Sequence, residues 1–153
     1  MAEFENVEAW NTAVRLAAAV GRLKVASNLK ASQDAQAKAF EQAGIACGLI
    51  AEGATAAGPA QAALYRDARG ALAQAMSWLH VLANVTNEQP AVFGNELDLA
   101  EQASKQLGAT LRTMERGGAG GRPPMRGGPP PTGPRNNAPA GQRGGPPRGG
   151  GPR

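Results

Sequence analysis

Reactive side chains are scarce in this chain: among 153 residues there is one cysteine, Cys47, and one histidine, His80. A single thiol excludes an intramolecular disulfide framework and any centre built from several thiolates. Only four serines (Ser27, Ser32, Ser77 and Ser104) precede Gly117, so a nucleophile, a base and an orienting group have few ways to meet. A di-iron bundle requires Glu-x-x-His on two helices, and position 77, three residues before His80, is serine. Neither an enzyme, a cofactor nor a metal is expected. Long apolar runs are also missing. The alanine-rich stretch after Leu16 is interrupted by Gly21, Arg22 and Lys24, far short of the roughly 18 residues of a membrane span. A secretory leader opens on basic residues, whereas this chain opens on Glu3, Glu5 and Glu8. A cytoplasmic protein without a membrane partner is the expectation.

Proline is rare in one part of the chain and abundant in another. Only Pro59 and Pro90 precede Gly117, whereas the last 37 residues hold 10 Pro, 13 Gly and 6 Arg. Such a composition has too little apolar surface to offset the entropy of ordering. The expected organisation is a folding unit over 1–116 and a disordered basic Arg-Gly-Pro tail over 117–153. Charge divides at the same place. The first 116 residues carry 10 Lys and Arg against 12 Asp and Glu, net −2, and the tail carries six Arg and no acid, net +6, which together give the overall +4. The pI of 9.8 is the tail's property.

Within 1–116 the chain is rich in Ala, Leu, Gln and Glu, which favours helix almost throughout. The first helix is predicted from Glu3 to Ser27, with Phe4, Val7, Trp10, Val14, Ala17 and Gly21 at steps of three and four. A second, over Ser32 to Ala56, repeats the pattern through Phe40, Ala43, Cys47, Ile50 and Ala54. The third has the clearest ends, because Gly58 can serve as N-cap, Pro59 suits a first helical turn and Asn87 closes the run. Its stripe is Leu64, Ala68, Ala71, Ala75, Trp78, Leu82 and Val85. A fourth begins between Glu88 and Pro90 and carries Phe93, Leu97, Ala100, Ser104, Leu107, Leu111 and Met114. Alternating steps of four and three form a bundle seam, and short connections make successive helices antiparallel. The fold class is all-α, an up-down-up-down four-helix bundle. Alanine and glycine at many seam positions let the helices approach closely, with Trp10, Phe40, Trp78 and Phe93 expected to fill the wider layers. A core this thin favours burial of further apolar surface between subunits.

Three stretches resemble the bacterial four helix bundle protein family, also called 23S rRNA intervening-sequence proteins. Phe4-x-x-Val7-x-x-Trp10-x-x-Ala13-x-x-Leu16 is similar to the family's opening helix, and Ile50-Ala51-Glu52-Gly53 to the signature that ends its second. Ala68-Arg69-Gly70-Ala71, with Gln74 beyond, looks like a stretch of its third helix. The order and approximate spacing agree over residues 1–116. The chain departs from the pattern at Leu49, Ala71 and Gln74, and at Phe40, Glu41 and Gln42, where a basic pair is usual. The resemblance implies a homo-oligomer without known catalysis, a pentamer being the form its relatives suggest. Those relatives include the accessory variability determinant of diversity-generating retroelements, which partners a reverse transcriptase and RNA.

Four features carry chemistry. Glu52 lies beside seam residues within the family signature and Arg69 flanks Ala68 on the next helix, so the two are expected to form a structural ion pair that fixes register; the alternative is two solvated charges. His80 is expected on the surface or flank of its helix, and Cys47 as a small buried hydrophobe. The tail repeats Arg-Gly-Gly at Arg126, Arg143 and Arg148 and Pro-Pro at Pro123, Pro129 and Pro146. Arginines in a flexible chain contact phosphates and stack on bases, which makes Arg122, Arg126, Arg135, Arg143, Arg148 and Arg153 the candidate nucleic-acid contacts, RNA above all. The tail has no aromatic residue. A solubilising extension or polyproline recognition by a partner are the other readings. For the whole chain, an oligomer that binds RNA through several tails stands beside a protein-interaction scaffold, for example one docking a reverse transcriptase.

Overall fold

The computed structural model describes residues 2–25 and 28–119. Four α-helices, α1 (Glu8–Gly21), α2 (Lys30–Thr55), α3 (Gly58–Thr86) and α4 (Gly94–Ala119), are accompanied by short 3₁₀ turns at Glu3–Asn6 and Pro90–Phe93. There is no strand among the described residues. Each helix lies beside two others in the cyclic order α1, α2, α3, α4, and the backbones of the diagonal pairs stay apart. Gly53, near the end of α2, lies against Leu64 and Tyr65 near the start of α3. Arg66, near the start of α3, reaches Glu115 near the end of α4.

The helix ends have local causes. Pro59 occupies the first turn of α3, where its missing N–H costs nothing. Gly58 before it has φ +60°, a conformation that favours glycine. At the other end of α3, Asn87 takes the left-handed conformation at φ 57°. The N–H of Asn87 donates to the carbonyl of Asn84 at 3.2 Å and that of Glu88 to Ala83 at 2.8 Å, a Schellman closure that satisfies two of the last carbonyls. The first helix is shorter than expected: residues 3–6 form a 3₁₀ turn, and α1 stops at Gly21 instead of Ser27. Its end is held by another helix, because the side-chain amide of Gln36 on α2 donates to the carbonyls of Val20 at 3.0 Å and Leu23 at 2.9 Å. A helix end capped across the bundle leaves no mark in its own sequence.

The core is one cluster filled by Leu16, Ile50, Leu72, Leu79 and Leu107 among many alanines, extended by a smaller group around Leu82 and Phe93. In α1 the buried stripe is Ala9, Ala13, Leu16 and Val20, one position before the expected Trp10, Val14, Ala17 and Gly21. Alanines at 17, 18 and 19 give neighbouring stripes almost equal hydrophobicity, so spacing alone could not choose between them. In the other helices Ala43, Ile50, Ala68, Ala71, Ala75, Leu82, Ala100, Leu107 and Leu111 are buried as expected; Phe93 is buried too, but from the 3₁₀ turn before α4 and not from the fourth helix itself. Phe40 corrects the expected seam: its side chain is 50% exposed, and Ala39 takes the inward position. Trp10 and Trp78 pack only partly against the core. Trp10 also meets Phe4 in a tilted arrangement, with ring centroids 4.9 Å apart and planes at 58°.

Candidate functional site

The surface with most chemical character is built around α2. Three of its outward residues are small or apolar where a lone helix would carry charge: Gly44, Ile45 and Gly48. A Cβ added at either glycine would meet nothing within 4 Å, so neither glycine is required by packing inside one subunit. Each costs about 1 kcal/mol of helix stability relative to alanine. Ile45 is 42% exposed between them. One turn earlier, the ring of Phe40 lies over the end of α1, where a Cβ on Gly21 would come within 3.1 Å of Cε2. The other face of that ring is open.

Beside this strip, side chains from the first half of α2 and the last half of α3 wall an open surface groove of about 540 Å³, lined by Asp34, Lys38, Glu41, Trp78, Val81 and Val85, with small residues of α2 between them. Trp78, expected as core filler, forms part of its wall. Lys38 Nζ donates to Glu41 Oε2 at 2.9 Å, and that bond and charge hold the lysine above its ordinary pKa. The groove is therefore an apolar trough edged by an exposed ion pair, a shape suited to a side chain or helix of another protein. The sequence carried a sign of it: Trp78, Val81 and Val85 recur at steps of three and four, a second stripe beside the buried one.

The expected pairing of Glu52 with Arg69 does not form. Glu52 is exposed on α2, two residues from the buried Ile50 and so turned away from the core. Arg69 faces α4, where its Nε donates to Ser104 Oγ at 3.4 Å. Arg66, one turn earlier on the same side, pairs with Glu115 at 3.1 Å. The Arg66–Glu115 and Arg69–Ser104 contacts were missed from the sequence, although two arginines three apart on one helix already mark a face that meets another element.

What the Ile50-Ala51-Glu52-Gly53 segment does contribute is a close approach. A Cβ on Gly53 would fall 2.5 Å from Tyr65 Cε1 and 2.8 Å from Cδ1. Gln61 Nε2 donates to the Gly53 carbonyl at 2.9 Å, so ring and amide together seal this end of the α2/α3 pair.

His80 is exposed on α3. Cys47 is partly buried, and burial pushes its thiol pKa up, the reverse of what an activated nucleophile needs. Among the described residues no three His, Cys, Asp or Glu side chains lie together as a metal would require. No helix among them is long and apolar enough to cross a membrane. The candidate nucleic-acid contacts Arg122, Arg126, Arg135, Arg143, Arg148 and Arg153 lie outside the described residues. Set against family models, curated proteins and solved structures, the chain matches none.

Proposed function

We propose that this chain is a non-enzymatic, homo-oligomeric helical bundle that binds RNA mainly through its basic tails. The observation that carries the reading is the charge partition: +6 with no acid in the last 37 residues, after 116 residues of net −2. Such a segment neutralises phosphates and releases their counterions, whatever the base sequence. The bundle's part is to gather several tails so that weak contacts add. Phe40 and Ile45, exposed beside Gly44 and Gly48 on α2, support assembly, because a small-residue strip with apolar flanks lets a second helix come close. We take the helices to run up-down-up-down and the protein to work in the cytoplasm, in the manner of the four helix bundle family, for which a pentamer is the natural count.

A second reading is favoured by the Trp78 groove. In it the bundle is a docking scaffold, for example for a reverse transcriptase, and the tail is incidental. Replacing the six tail arginines by glutamine separates the two. Fluorescence anisotropy with a single-stranded RNA should show the slope of log K against log salt shrinking by about 4 if all six contact phosphates. A wild-type oligomer that ignores RNA would leave the scaffold, whereas RNA binding unchanged in that variant would put the contacts outside the tail.

A further inference from the structure

We propose that the α3/α4 face carries a phosphate-binding cradle made by Arg69, Arg112 and Ser104 over Gly108. Gly108 is buried on α4. Taking the point where its Cβ would sit as a marker, Arg69 Cζ and Nη1 each lie 3.8 Å away and Arg112 Nη1 lies 3.9 Å away. Two guanidinium groups, one from each helix, thus converge on the same patch of bare backbone. Like charges drawn together are unfavourable, and among the described residues no carboxylate balances either one. The four ion pairs there join Lys30 to Asp34, Lys38 to Glu41, Arg66 to Glu115 and Lys105 to Glu101. Glu115, the nearest acid along α4 from Arg112, is therefore engaged by Arg66. Asp67 lies two residues from Arg69, on the far side of α3.

The third group is Ser104, one turn before Gly108. Its oxygen accepts from Arg69 Nε, and among the described residues no group accepts its own proton. A tetrahedral oxyanion seated on the outer edge of the two guanidinium groups would receive N–H donors from two sides and an O–H donor from the third. Forked guanidinium donors are well matched to phosphate oxygens. The missing side chain at Gly108 lets both guanidinium groups settle against bare backbone, with their outer N–H edges left to a ligand. One turn beyond Arg112, Arg116 is exposed, and the first tail arginine, Arg122, follows six residues later.

A strand of nucleic acid engaged by the tail would thus find, on the bundle, a pair of cations held side by side. The ligand class, a phosphodiester of that strand, rests on the RNA-binding reading; the cradle itself does not. Its role is to give one phosphate a defined place among contacts that are otherwise interchangeable.

The test is the full-length protein with Arg69→Gln and Arg112→Gln together, against a control with Arg15→Gln and Arg22→Gln, which removes the same charge from the exposed side of α1. Circular dichroism establishes that both remain helical. With a single-stranded RNA, the first variant should reduce the salt slope by about 0.7, one phosphate contact's worth, and the control should leave it unchanged. Equal slopes for the two variants would overturn the cradle while leaving the tail's role intact. If the wild type ignores RNA, the reading of the tail fails, and inorganic phosphate decides the cradle alone. A rise in Tm over chloride at matched ionic strength, present in wild type and absent in the Arg69/Arg112 variant, keeps it as an oxyanion site. An equal rise in both removes it.

Discussion

The two ends of the α2/α3 pair are built on opposite principles. At one end Gly53 meets the ring of Tyr65 so closely that a methyl group has no room, and Gln61 ties the carbonyl down. At the other, Ala35 packs beneath Leu82 and Ala83, but the surface above them is left as the groove of about 540 Å³ walled by Trp78 and Val81. The contrast also separates two kinds of glycine on one helix. Gly53 is fixed by packing within the subunit, whereas Gly44 and Gly48 face open space. A bundle sealed at one end keeps its register, while the groove and the bare strip leave apolar surface exposed.

Substitutions should break this contrast in order of size. Gly53→Ala forces the Tyr65 ring to move and should cost about 1–3 kcal/mol, the usual range for overpacking, read as a lower urea midpoint. Gly48→Ala should act in the opposite direction. It adds helix propensity with nothing to strike, and the isolated subunit should gain about 1 kcal/mol, while assembly weakens because the strip is filled. If Gly48→Ala left self-association as tight as before, the strip would not be the contact.

The smallest effect belongs to Cys47. Its thiol pKa is raised by burial, so the folded state holds its proton to higher pH than the unfolded chain does. The stability this gives is fully present below the unfolded thiol's pKa and is lost as pH rises through the folded one. Denaturation should show a shallow decline across that alkaline window that disappears in Cys47→Ala, and iodoacetamide should modify native Cys47 more slowly than a free thiol.

Much of the bundle was legible from its residues. Helix number, the Pro59 and Asn87 boundaries and the inward Leu107, Leu111 and Ile50 follow from periodicity and end signals, because those positions differ sharply from their neighbours. The stripe of α1 did not, since runs of alanine make adjacent faces equivalent and the choice falls to what packs opposite. Gln36 closing α1 and Arg69 turning to Ser104 depend on residues 13 to 35 positions away, beyond what local pattern encodes. The Glu52–Arg69 expectation failed for a related reason. Nearness to the seam says a side chain is at an edge, and only the helix's rotation says which neighbour that edge meets.

Light scattering on the full-length protein, alone and with a structured RNA at low and moderate salt, tests the central claim most directly. Assembly through α2 with RNA held by the tails predicts a mass several times the 15.6 kDa of one chain, near five subunits if the family resemblance holds, and an RNA complex that dissociates as salt rises. A 15.6 kDa particle indifferent to RNA would contradict both halves of the account.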